Sequence, residues 1–464
     1  MVFSSLEFIF LFLPAFMIVY GLVPTKYKNA TLFAGSIFFY SMGVLKRPIY
    51  IVLFLLTILF NFIIGEFIEN FRKAGKLWLV IGIIFNFWWL AFFKYTGFAF
   101  SNINLLLKND LPVRNIILPI GISFYTFQNV SYIVDVYRRK AKAETNLINY
   151  GAYISMFPQL IAGPIVKYET VAAQLRNRTH SIKRVEDGLK TFTIGLGYKV
   201  LLANQVGGLW KKIGDIGYQS ISTKLAWLGI IAFTFQIYFD FCGYSYMAIG
   251  LGRIMGFDIP QNFNHPYMST TMGEFWRRWH MTLGNWFKEY VYIPLGGNRV
   301  KTSLVVRNFF VVWLFTGVWH GASWNFVIWG MVLFGLIMLE RFVIGDFLNK
   351  YKIVGHLYMF LVIPLTWLLF AITDFRELGI YFSRLVPIFP VKTYAVNSGD
   401  FAKFFRIYWK YFVAGTIFST NIPEKIYKKI KDSYFIVILL IIVFWASVYC
   451  MYQGMDDPFL YYTF

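Results

Sequence analysis

The chain has 464 residues, 58% of them hydrophobic and only 14% charged, with a mean hydropathy of +0.56. A water-soluble domain carries nearer a quarter of its residues as charges, so this composition excludes one and points to a polytopic membrane protein. The net charge of +21 does not argue for nucleic acid. No recognisable nucleic-acid module is present, and Lys and Arg fall mainly in short loops between apolar runs, where the positive-inside rule places them.

The first apolar run, 3–23, lacks the basic flank and small-residue cleavage site of a signal peptide and is expected to remain as a span. Further candidate spans follow at 30–43, 49–68, 77–93, 116–136, 185–203, 226–250, 309–319, 324–339, 356–372, 401–418 and 433–452. Some fall short of the ~20 residues that cross a bilayer and are expected to pair or re-enter, which leaves roughly eleven crossings. No sizeable soluble domain fits between them. The expectation is one membrane-embedded domain over 1–464, with a catalytic core at 116–340.

Between the early spans lies MFPQLIAGPIVKYE, which starts at Met156 and is broken by Pro158, Gly163 and Pro164. It is apolar but too short to cross, which suits a re-entrant or interfacial turn buried in protein. Cys242 and Cys450 sit in apolar surroundings and offer no metal or disulfide spacing, so both read as small packing residues.

Residues 264–294 read NHPYMSTTMGEFWRRWHMTLGNWFKEYVYIP. On a helical wheel Phe275, Trp279, Leu283, Trp286, Phe287 and Tyr290 share one face. Glu274, Arg277, Arg278, Asn285, Lys288 and Glu289 share the other. A continuous amphipathic helix lying in the membrane interface is expected, with His280 on the border between the faces.

GVWHGASW, Gly317 to Trp324, lies in a run without Asp, Glu, Lys or Arg from 308 to 339. As one helix that run would be roughly 48 Å long against a hydrocarbon core of ~30 Å, so it must break. The weakest helix formers are Thr316, Gly317, Gly321, Ala322 and Ser323, which puts His320 at or beside the discontinuity. A titratable side chain at such a break is expected to line a cavity on a functional path; the bland alternative is a hydrogen bond tying two helices together.

Several chemistries lack their parts. There is no HExxH and no carboxylate cluster beside the five histidines, so a metal site is not expected. GxSxG, Walker A and strand-linked GxGxxG signatures are also missing. A neutral imidazole in a tunnel can still serve as general base, removing the proton of a hydroxyl that attacks an activated acyl group.

The segments ISFYTFQNVSYIVDVYRRK, PQLIAGPIVKYE, FDFCGYSYMAIGLGRIMGFDIPQNF, EFWRRWHMTLGNWFKEYVYIPLGGNR and GVWHGASWNFVIWG, in this order from 122 to 330, together resemble the membrane-bound O-acyltransferase family. More narrowly they resemble its bacterial branch that O-acetylates cell-envelope polysaccharides. The resemblance implies an all-α fold with transmembrane, re-entrant and interfacial helices around a central tunnel, in the bacterial cytoplasmic membrane. It implies acetyl transfer from a cytosolic thioester, acetyl-coenzyme A, to a periplasmic SGNH-hydrolase-like O-acetyltransferase partner or directly to a sugar hydroxyl. The WHG histidine of the family corresponds to His320, with a catalytic role. The WRRWH histidine corresponds to His280, with a supporting one. Trp319, Trp324, Asn325, Trp279, Arg277, Arg278, Asp240 and Tyr244 are the implied tunnel and substrate residues. Where relatives commonly read FDFSGYSDMAIG, this chain has Cys242 and Tyr246, while Asp240 and Tyr244 are kept.

A composition rich in Lys, Phe, Ile, Tyr and Asn tilts the expected polymer toward peptidoglycan, at the C-6 hydroxyl of N-acetylmuramic acid, with alginate or another exopolysaccharide as the alternative. Rivals of another class are a transporter or flippase without chemistry of its own, or a scaffold anchoring a secreted hydrolase.

Overall fold

A computed structural model describes residues 2–108, 111–113, 116–387, 396–454 and 459–460. The described residues are helical or irregular, with no strand among them, and every expected span overlaps a helix. Among the described residues seven helices are long and apolar enough to cross a membrane: Ile49–Asn70, Arg72–Leu107, Thr223–Ile254, Thr302–His320, Trp324–Lys350, Lys352–Ala371 and Tyr434–Tyr452. This is the all-α polytopic architecture that the composition requires.

The chain divides into two compact units. The first comprises Met1–Phe192, Met247–Gln261 and Asn285–Tyr290. At its centre is the helix Ile122–Tyr137, buried from Ile122 to Val136. Inside a bilayer, polar side chains must find partners in protein. Asn61 and Asn86 do so reciprocally, joining the helices Ile49–Asn70 and Gly75–Leu107 at 3.1 and 2.7 Å. The Pro-broken segment from Met156 to Val166 is buried throughout, as its composition requires.

The second unit comprises Thr193–Tyr246, Asn262–Gly284 and Val291–Phe464. Its centre is a helical hairpin. The charge-free run breaks where expected: one helix ends at His320, Gly321 is extended, and the next helix begins at Trp324. Two glycines set the spacing of this pair. A Cβ on Gly317 would stand 2.5 Å from the Phe326 carbonyl oxygen, and one on Gly330 2.5 Å from that of Trp313. The two backbones are therefore in contact, the arrangement that small residues permit between membrane helices. The Thr316 hydroxyl answers the Val312 carbonyl at 2.7 Å within its own helix.

The stretch 264–294 departs from the sequence reading. In place of one amphipathic helix there are two short ones, Met272–Arg278 and Met281–Phe287, followed by a π-helical turn at Lys288–Tyr292. The chain is extended at Trp279 and left-handed at His280, with φ +44°. The apolar face is not spent on headgroups either: Phe275, Trp279, Leu283, Trp286 and Phe287 are all buried in protein.

Gly330→Val is expected to force the hairpin apart and lower stability by about 1–3 kcal/mol, the usual cost of overpacking. Gly335→Ala, where a Cβ meets nothing within 4 Å, should leave the midpoint unchanged. Thermal unfolding in detergent checks the pair; equal midpoints would refute the packing argument.

Candidate active site

The helix Met272–Arg278 is started by a cap and a borrowed carboxylate. The Thr271 hydroxyl oxygen accepts from the Glu274 N–H at 3.1 Å. Glu274 reaches back to the Thr270 N–H at 3.0 Å, in the manner of a capping box. From the far end of the hairpin Glu340 accepts the Met272 and Gly273 N–H groups at 2.5 and 3.0 Å. A carboxylate is well placed there, since the first N–H groups of a helix have no intrahelical acceptor. At the other end Arg278 pairs with Glu274 at 2.7 Å. These contacts fix the short helix that carries Trp276 and leads into Trp279 and His280.

His280 is held by a side-chain clamp. Its Nδ1 lies 3.1 Å from Asn262 Oδ1, which also accepts from the Thr282 N–H at 3.2 Å and from its hydroxyl at 2.9 Å. The Asn262 amide in turn donates to the Ser245 hydroxyl oxygen at 3.3 Å. A left-handed backbone at a non-glycine residue is costly and is kept only where the surroundings over-determine it. Burial pushes the His280 pKa down to about 3, so this imidazole is neutral at physiological pH.

His320 ends its helix in an aromatic box. Its ring lies 4.9 Å from Trp319, 5.1 Å from Trp329 and 5.2 Å from Phe370, each contact edge-on. Trp319 also approaches the His280 ring, at 6.3 Å between centroids, so one indole stands between the two histidines.

A small cavity, with about 30 Å³ of space for water-sized centres, opens at His320. Its walls come from Ile237, Asp240 and Phe241 on one long helix, Trp276 and Trp279 on the short one, and Trp329, Trp367 and Phe370 on two others; Phe459 and Leu460 complete them. Asp240 is the one carboxylate among these walls. Its Oδ1 is paired with Lys199 Nζ at 2.6 Å, and both side chains are almost fully buried.

Of the residues singled out in the sequence, the cavity brings together His320, Trp279 and Asp240. His280 and Trp319 pack beside it. Tyr244 is buried and sets its ring 5.1 Å from that of Phe459. Asn325 is buried and donates to the Leu369 carbonyl at 3.1 Å, which ties two helices together. Arg277 is exposed, Arg278 is paired with Glu274, and Trp324 is 52% exposed; none of the three lines the cavity.

Sequence reasoning missed Ile237, Phe241, Trp276, Trp329, Trp367, Phe370, Phe459 and Leu460 in the walls, and Lys199 behind them. Lys199 carried a signal, the one charge in the apolar stretch 191–203. Among the described residues no group of three or more His, Cys, Asp or Glu could hold a metal ion.

Replacing Glu340 by Ala leaves the Met272 and Gly273 N–H groups without their acceptor, at about 1–3 kcal/mol for each buried group. Glu340→Gln keeps an acceptor and is expected to lose less. Unfolding midpoints of the two variants check this, and an Ala variant as stable as wild type would refute it.

The sequence profile of the membrane-bound O-acyltransferase family matches residues 30–354. The Probable alginate O-acetylase AlgI of Azotobacter vinelandii is 38% identical over 380 residues, covering 80% of this chain and 75% of that protein. The protein of the same name from Pseudomonas aeruginosa is 39% identical over 382 residues, covering 80% and 72%. The peptidoglycan O-acetyltransferase of Helicobacter pylori is 36% identical over 363 residues, covering 70% and 68%. With the family profile spanning most of the chain and relatives of this identity matched along most of their length, the protein is an enzyme of the membrane-bound O-acyltransferase family.

Proposed function

We propose that the protein moves an acetyl group from acetyl-coenzyme A, bound from the cytosolic side, to a hydroxyl destined for an extracytoplasmic polysaccharide, with the chemistry at His320. The observation that carries this reading is that His320 and Asp240 share one aromatic-walled cavity at a helix break. The neutral imidazole of His320 takes the proton of the acceptor hydroxyl as its oxygen attacks the thioester carbonyl. The C–S bond breaks, and the coenzyme thiolate leaves with that proton. The indoles of Trp276, Trp279, Trp329 and Trp367 keep bulk water from competing for the acyl group. His280, neutral and clamped by Asn262, acts as a positioning residue that sets the Trp279 wall and supports Trp319.

The immediate acceptor in this reading is a periplasmic SGNH-type partner that passes the acetyl group to the polymer. The relatives are named for two polymers, alginate and peptidoglycan. Their identities lie too close together to choose between them. Peptidoglycan is the first polymer to test, on the composition of the chain, and alginate or another exopolysaccharide is the second. O-acetyl analysis of both polymers in cells lacking the gene separates the two readings.

With purified protein and labelled acetyl-coenzyme A, His320→Ala should lower thioester turnover by about 10²–10⁴-fold. Full activity in that variant would remove His320 as the base. Turnover should also fall on acidification, because a protonated imidazole cannot accept a proton. A rate flat from neutral to mildly acid pH in folded protein would contradict an imidazole base.

A further inference from the structure

Most walls of the His320 cavity stand on helices or at their ends. One comes from beyond the last long helix: Phe459 and Leu460 follow Tyr434–Tyr452. Phe459 is 3% exposed and sets its ring against Phe241 at 5.6 Å and Tyr244 at 5.1 Å. The Leu460 N–H donates to Asp240 Oδ2 at 2.7 Å, while the other oxygen of that carboxylate is held by Lys199 at 2.6 Å. A main-chain N–H is thereby fixed to a carboxylate that is itself immobilised, the kind of charge-assisted bond that defines position well. The latch places one aromatic and one branched side chain in the wall of the cavity that holds His320.

The volume gives these two residues a consequence. The space open to water-sized centres in the cavity is only about 30 Å³, against the ~10–15 Å³ that a single water needs. That is room for a short acyl group and no more. The remaining walls, Ile237, Asp240 and His320 with the indole and phenyl rings, stand on helices or at their ends. Phe459 and Leu460 are the part that side-chain changes can remove.

We propose that Phe459 and Leu460, latched by Lys199 and Asp240, form the end wall of the acyl site and set the length of acyl group that the enzyme accepts. The inference rests on reading the cavity as the acyl-transfer centre. It adds a specificity determinant built from the segment beyond the last long helix, and it gives the buried Lys199–Asp240 pair a positioning role.

The test uses the purified full chain and thiol release from acetyl-, butyryl- and hexanoyl-coenzyme A. Phe459→Ala shortens the wall, and Leu460→Pro deletes the N–H that Asp240 accepts. The ratio of hexanoyl to acetyl turnover is expected to rise at least tenfold in both, in keeping with the 10–200-fold that one methylene is worth in an apolar pocket. Phe459→Leu, a smaller cut, should move the ratio in the same direction and serves if the Ala variant fails to fold. Phe435→Ala, on an exposed face of the last long helix, should leave the ratio unchanged. A rise in the Phe459 variants alone keeps the wall and overturns the latch. An unchanged ratio in both positions overturns the proposal, and so does a common factor on all three donors, which would make the segment a general plug. Acetyl turnover that survives His320→Ala overturns the underlying reading of the cavity instead, and the ratios from chains with His320 intact keep the two failures apart.

Discussion

The contact between the backbones at Gly317 and Gly330 governs the geometry of the second unit. Because neither position tolerates a Cβ, the helices ending at His320 and starting at Trp324 meet without intervening side chains. The turn between them is short, and His320 is held at the last residue before it, against Trp329 of the partner helix. The far end of the same hairpin supplies Glu340, which fixes the start of the short helix bearing Trp276. One close approach therefore sets both His320 and the wall facing it.

The buried pair Lys199–Asp240 is better understood as a device for position than for stability. Burying two charges costs desolvation that their attraction repays only with good geometry and further hydrogen bonds. Here the carboxylate has both, a cation at 2.6 Å and a main-chain N–H at 2.7 Å. Lys199 sits in a π-helical turn, Tyr198–Ala203, and such turns recur at functional sites in helices. A polar wall fixed in this way gives an otherwise aromatic cavity a fixed hydrogen-bond acceptor.

How far the sequence carries depends on whether a feature is local. The break at GVWHGASW was legible because a charge-free run of that length cannot be one span, and its glycines mark the place. Asp240, Trp279 and His320 were legible through motifs. The kink at Trp279–His280 was not. No glycine or proline marks it, and the local periodicity there favours one helix; what imposes the left-handed residue is the clamp from Asn262 and Thr282. Trp367 and Phe370 sit in an apolar run like any other, and they reach His320 only because the helix Lys352–Ala371 packs on the hairpin. Phe459 and Leu460 are farther still from Asp240 in sequence, and no pattern links them.

The most direct measurement of the central claim is a density map of the protein with a non-hydrolysable acetyl-coenzyme A analogue. The account predicts the acyl end in the aromatic cavity, within about 3–3.5 Å of the His320 imidazole, the separation of a near-attack arrangement. An analogue bound with its acyl end elsewhere, and the cavity unchanged, would contradict it.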